Sequence, residues 1–119
     1  MKNHSGEFFD CGPDCPVARA HEVLGGKWTT LVFRDLLSGT KRYSELRRSL
    51  TGISPRMLAA RLAMLEENGL ISKRIYPNVP PKTEYSLTAL GHSMGPVISA
   101  MAVFGAKLME DQTRKQKKT

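Results

Sequence analysis

The stretch from Ser54 to Ile71, SPRMLAARLAMLEENGLI, carries signals for both ends of one helix, and the rest of the chain has to be arranged around it. Ser54 can accept an orphan amide proton of the first turn, and Pro55 suits the first helical position, where no amide donor is needed. Gly69 fits the left-handed position just past the end, with Leu70 placed to reach back to Leu65. Leu58, Leu62 and Leu65 fall at i, i+4 and i+7 and predict one apolar stripe. Met57, Ala60, Arg61 and Met64 make a second face, with Arg56 close by. That face is neither a solvated charge face nor a continuation of the core. It suits a helix lying against something, although these residues alone equally describe an ordinary amphipathic helix.

A chain of 119 residues is one domain's worth. It has no uninterrupted run of 18 apolar residues, so no transmembrane helix and no membrane partner are expected. The start, MKNHSGEFFDCG, lacks the basic-then-apolar order of a signal peptide, so the expected location is cytoplasmic. Two cysteines, Cys11 and Cys15, are too few for a disulfide framework and agree with a reducing compartment. The net charge of +7 is unevenly spread. Residues 41–84 hold nine Lys or Arg against four Asp or Glu, and residues 112–119 hold four positives and no acid. The remaining segments are each slightly negative. The folded part therefore gathers its positive charge around the Ser54–Ile71 helix, as expected of a surface that meets a polyanion.

Taken in order, residues 1–14 read as an arm in which Phe8 and Phe9 are the packing residues. Pro16 to Leu24 reads as a helix closed by Gly25 and Gly26, and Trp28 to Leu37 as a second, with Trp28, Leu31, Val32 and Leu36 on its stripe. Thr40 to Tyr43 is β-prone. Ser44 is the expected cap of a brief helix from Glu45 to Leu50, and Thr51-Gly52-Ile53 leads from it into the central helix. Two short helices joined by a Gly-containing turn are the helix-turn-helix signature. Leu70–Tyr76 and Lys82–Leu87 predict a hairpin across the stiff PNVPP loop, and a basic hairpin in that position is a wing. Thr88 to about Asp111 predicts one long helix with Leu90, Met94, Val97, Ile98, Met101, Phe104 and Leu108 at helical spacing, kinked at Pro96. A single chain has little left to cover that stripe, so a second copy is expected to. Residues 15–111 thus form one domain, followed by a basic, disordered tail at 112–119.

The blocks CPVARA, GGKWTTLVFRDLLSG, RYSELRRSLTGISPRMLAARLAMLEENGLI and YPNVPPKTEYSLTALG, in this order and spacing, resemble the HxlR family of bacterial winged helix-turn-helix regulators, within the MarR-like superfamily. The resemblance spans Cys15 to about Gly105. It implies an α+β, mainly α, winged-helix fold with a β-hairpin wing and N- and C-terminal dimerisation helices. It further implies a homodimer on an inverted-repeat operator in double-stranded DNA, commonly as a repressor. Some relatives sense oxidants or electrophiles through a cysteine at the position of Cys15, so a small-molecule or oxidant effector is expected. Dimer contacts fall to Val17, Met94, Ile98, Met101, Phe104 and Leu108. At Ala63 and Met64 the chain departs from the charged or polar residues of many relatives.

On this reading Ser54, Arg56, Met57, Ala60 and Arg61 form the recognition face, where Arg can take guanine bidentately and Ala can meet a thymine methyl. Lys41, Arg42, Ser44, Arg47, Lys73, Arg74 and Lys82 are expected on the DNA backbone. Cys15 lies at a helix N-cap, where the dipole favours thiolate, with Cys11 as a resolving thiol; equally it reads as an inert, half-buried cysteine. The competing class is a winged helix that binds protein and no specific DNA. Enzymatic chemistry is not expected: Gly26-Lys27 lacks the upstream glycine of a P-loop, there is no GxGxxG, and His4, His21 and His92 are scattered. No cofactor and no metal site are expected.

Overall fold

The computed structural model describes residues 15–118, with side chains described through residue 116; the arm at 1–14, and Cys11 with it, lies outside the described residues. The chain runs α1 (Pro16–Leu24), α2 (Lys27–Leu37), β1 (Lys41–Arg42), α3 (Tyr43–Ser49), α4 (Pro55–Glu67), β2 (Ile71–Tyr76), β3 (Lys82–Leu87), α5 (Ala89–His92) and α6 (Gly95–Lys118). The three strands form one antiparallel sheet in the order β1-β3-β2. The fold is the mainly helical winged helix the sequence predicts, with the β2–β3 hairpin as its wing.

The core gathers on one side of α4. Leu58, Leu62 and Leu65 are buried against Val32, Phe33 and Leu36 of α2, Leu46 and Leu50 of α3 and its exit, and Tyr85 and Leu87 of β3. The buried stripe of α2 is Thr29, Val32, Phe33 and Leu36. It is rotated from the predicted one, leaving Trp28 and Leu31 half-buried at its border. Both ends of α4 close as their residues predict. Ser54 Oγ accepts from the Met57 N–H at 3.0 Å. At the C-terminus Gly69 has φ +74°, and the Gly69 and Leu70 N–H groups donate to the Glu66 and Leu65 carbonyls, each at 3.0 Å. This paired closure needs a left-handed residue between helix and strand, which only glycine supplies without strain.

Three expectations are corrected. The start of α3 is capped from Arg42, not Ser44. Arg42 is held extended by its pairing with β3, so helical conformation begins at Tyr43, and the Glu45 carboxylate accepts from the Arg42 N–H at 2.7 Å. Ser44 stands exposed inside the first turn. The long C-terminal helix is two helices. Pro96 offers no amide to the His92 carbonyl four residues back, so α5 stops after His92 and α6 starts afresh at Gly95, with Pro96 in its first turn. Gly91 of α5 comes so close to the Leu70 carbonyl that a Cβ there would collide with it. Finally, α6 does not give way to a tail at residue 112. It continues to Lys118, supported by a Lys115–Asp111 ion pair at 3.4 Å and a Thr113 hydroxyl that donates to the Met109 carbonyl at 3.0 Å.

Candidate nucleic-acid interface

At about 100° per residue, Arg56, Ala60, Ala63 and Glu67 fall opposite the Leu58–Leu62–Leu65 stripe of α4. All four are exposed. Met57 and Met64 are half-buried and pack on the core, and Arg61 is half-buried on the same flank. The outer face of α4 is therefore a strip of small residues with Arg56 at its N-terminal end. The face expected from sequence, centred on Met57, Ala60, Arg61 and Met64, is turned partly inward.

The start of α3 and the wing loop come together. Arg42, Tyr43 and Ser44 line a cleft of about 470 Å³ whose other wall is Asn78, Val79, Pro80, Pro81, Lys82 and Thr83. A shallower depression beside it is lined by Tyr43, Ser44, Arg47 and Arg48. Arg48, exposed like Arg47, belongs to this positive surface although the sequence reading passed over it. Its signal was there in the Arg47-Arg48 pair. Tyr43, at the end of the stretch read as β-prone, also lines both hollows.

The strand cations divide. The register places Arg42 and Arg74 on either side of Glu84, whereas Lys41 and Lys73 flank Tyr85. Because successive residues of a strand face opposite ways, Arg42, Arg74, Tyr76, Lys82 and Glu84 share the outer face, and Lys41 and Lys73 share the other. On the outer face the Tyr76 hydroxyl donates to Glu84 Oε1 at 3.0 Å, and Lys82 Nζ lies 3.6 Å from Glu84 Oε2. Arg74 and Lys82 sit over the Tyr76 ring, 4.7 and 4.4 Å from its centroid. The hydrogen bond to Glu84 holds the Tyr76 phenol above its ordinary pKa, so it remains a donor. Tyr85 is raised as well, chiefly by burial. At the tip, Val79 is 99% exposed between Asn78 and Pro80.

Cys15 stands at the N-cap position of α1, 2% exposed and disulfide-bonded. The residues expected at a dimer contact separate into two groups. Val17, Met101, Phe104 and Leu108 are exposed, and Phe104 is 62% so. Met94, in the turn between α5 and α6, is buried in this chain's own core, and Ile98 of α6 is half-buried against that core. That is a correction for Met94, whose spacing alone put it on the outer stripe. Val17, His21, Leu24 and Met101 line a groove of about 500 Å³ between α1 and α6. No group of three or more potential metal ligands occurs among the described residues.

The family described as HxlR-like helix-turn-helix matches residues 23–113. An uncharacterized HTH-type transcriptional regulator of Synechocystis sp. is 39% identical over 105 residues, which is 88% of this chain and 78% of that protein. A solved structure assigned to the MarR family of transcriptional regulators, from Porphyromonas gingivalis W83, superposes with a TM-score of 0.77 at 43% identity, covering 80% of this chain and 93% of that one. The redox regulator HypR in its oxidized form superposes with a TM-score of 0.73 at 40% identity, covering 78% and 96%.

Proposed function

The chain belongs to the HxlR-like helix-turn-helix family of transcriptional regulators, not to a family of enzymes, and from that premise we propose that it is a sequence-specific repressor that binds an inverted-repeat operator in double-stranded DNA as a homodimer. One observation carries the reading. The apolar stripe of α4 is wholly covered inside the chain, while its opposite strip, Arg56, Ala60 and Ala63, is small and open, as close entry into a major groove requires. Ser54 holds the start of that helix, Met57 anchors its flank, and Arg61 reaches out from the same side. Arg42, Ser44, Arg47, Arg74 and Lys82 then serve the phosphates, with Lys41 and Lys73 at the opposite face of the sheet in a lesser role.

A second copy covers the exposed stripe of α6. Val97, Met101, Phe104 and Leu108 repeat at helical spacing over a helix about 36 Å long, with Val17 of α1 beside them. The segment Ala89–Gln116 is long and apolar enough by length and composition to cross a membrane, with a mean hydropathy of 1.3 in its best window. Its polar residues argue for a protein partner. Lys107, Glu110, Asp111, Arg114 and Lys115 fill its second half with charge, which a span in lipid does not carry. With a two-fold axis the two α4 helices fall about 34 Å apart, one turn of DNA.

Redox control through Cys15 is a second part of the reading, supported by its place at the α1 N-cap and by the similarity to a redox regulator. In it the reduced protein holds DNA, and a two-electron oxidant such as diamide takes one electron and one proton from each of the Cys15 and Cys11 thiols, joining the sulfurs and leaving the hydrazine; the structure describes Cys15 in the disulfide state. DNA is released in the oxidised state.

The test is operator selection from random duplexes followed by binding titrations. Arg56→Ala is expected to weaken operator binding by about 1–3 kcal/mol, and Lys82→Ala, which removes a cation, to weaken every sequence, scrambled duplex included. Selection that enriches no sequence, with salt-insensitive binding to a protein partner instead, would favour the protein-binding alternative. Cys15→Ser is expected to remove the response to diamide; an unchanged response takes Cys15 out of the mechanism.

A further inference from the structure

The three strands contain a single acidic residue, Glu84, and it lies in the middle of the most basic surface of the sheet. Its neighbours across the central strand are Arg42 on β1 and Arg74 on β2, and Lys82 is the next residue on its own strand that shares its face. A carboxylate here opposes the attraction of the wing for phosphate. Its contacts show what it contributes instead. One oxygen accepts from the Tyr76 hydroxyl at 3.0 Å and the other faces Lys82 Nζ at 3.6 Å. Tyr76, held at its hydroxyl, sets its ring beneath both Arg74 and Lys82, whose charged groups lie within 5 Å of its centroid. Tyr76, Lys82 and Glu84 are all half-buried, so the arrangement is packed and not a chance meeting of solvated side chains.

We propose that Glu84 is a positioning residue of the wing: acting through Tyr76, it holds Arg74 and Lys82 at a set spacing matched to phosphate oxygens of bound DNA. The inference rests on the DNA-binding reading and deepens it. Without the Glu84 carboxylate the two cations would repel one another uncompensated, and each long side chain would lose rotamer freedom on meeting DNA. Held, they meet the backbone in one register. Glu84 thereby contributes selectivity while lowering the net positive charge.

The two effects have opposite signs, which makes the proposal testable. Glu84→Gln keeps the volume and removes one negative charge. If Glu84 were only a charge, the variant would bind every DNA more tightly. As a positioning residue, its loss weakens binding to the selected operator by at least about twofold, the lower end of couplings within one network. It also lowers the slope of log affinity against log salt by about one, as one phosphate contact is lost, while binding to scrambled duplex is unchanged or tighter. Tyr76→Phe, which alters no charge, shifts the operator affinity and slope in the same direction and stands in if Glu84→Gln fails to fold. Glu110→Gln on α6 makes the same charge change away from the wing and gives the purely electrostatic response. In a Lys82→Ala background the Glu84→Gln effect shrinks to the part carried by Arg74. The proposal is overturned if both wing variants track Glu110→Gln, or if the operator-to-scrambled ratio and the slope stay at wild-type values. A wild-type protein that prefers no sequence at all would instead overturn the DNA-binding reading, and this inference with it.

Discussion

Helices α4 and α6 are both amphipathic, yet they solve the problem of their apolar side in opposite ways. The Leu58, Leu62 and Leu65 side chains of α4 disappear among α2, α3 and the wing's base. The Val97, Met101, Phe104 and Leu108 side chains of α6 stay in the open. An internally covered helix has its other face free for a ligand of a different chemistry, on the proposed reading a polyanion. A helix left uncovered must find more of the same chemistry, and the simplest supplier is a second copy of itself. On the proposed reading one domain thus presents a small-residue reading surface and an apolar joining surface without either competing for the same residues.

The sharpest way to break this contrast is to truncate one residue from each stripe. Leu58→Ala removes a fully buried side chain and is expected to cost about 2–5 kcal/mol in urea unfolding. A loss under 1 kcal/mol would mean that α4 is not held as described. Phe104→Glu should leave the far-ultraviolet circular dichroism intact and turn a dimer into a monomer in sedimentation experiments, a loss of at least about 2 kcal/mol of association energy. A variant that remains dimeric would move the joining surface elsewhere. Ser54→Ala acts on the reading helix alone. It should lower stability by about 1 kcal/mol through the lost cap and leave self-association unchanged, and a shift in the dimer equilibrium would show that the two surfaces are coupled.

Much of α4 and the wing was legible because their signals are local. Ser54-Pro55, the glycine at 69 and the prolines at 77, 80 and 81 each restrict backbone within a few residues, and the helix and both strands fall where those signals place them. The start of α3 was misread because its cause is distant: β3, more than 40 residues further on, holds Arg42 extended and moves the cap from Ser44. The single long C-terminal helix was misread for a different reason. Its apolar spacing continues through Pro96, and periodicity alone does not register a backbone break that leaves the stripe nearly in phase.

The candidate site shows the same division. That residues 41–84 are basic, and that α4 is a helix with a small-residue face, belongs to the sequence. Which way that face turns was decided by packing: Met57, Met64 and Arg61 were drawn toward the core, leaving Arg56, Ala60 and Ala63 outermost. Met94 was likewise drawn inward from the expected dimer stripe. Glu84 went unnoticed, since one acid in a basic strand has no meaning until strand register puts Arg42, Arg74, Tyr76 and Lys82 around it. Caps, turns and periodicities act over one or two turns of chain and can be read from neighbours. Burial and cross-strand company depend on residues tens of positions apart, and only the folded chain brings those together.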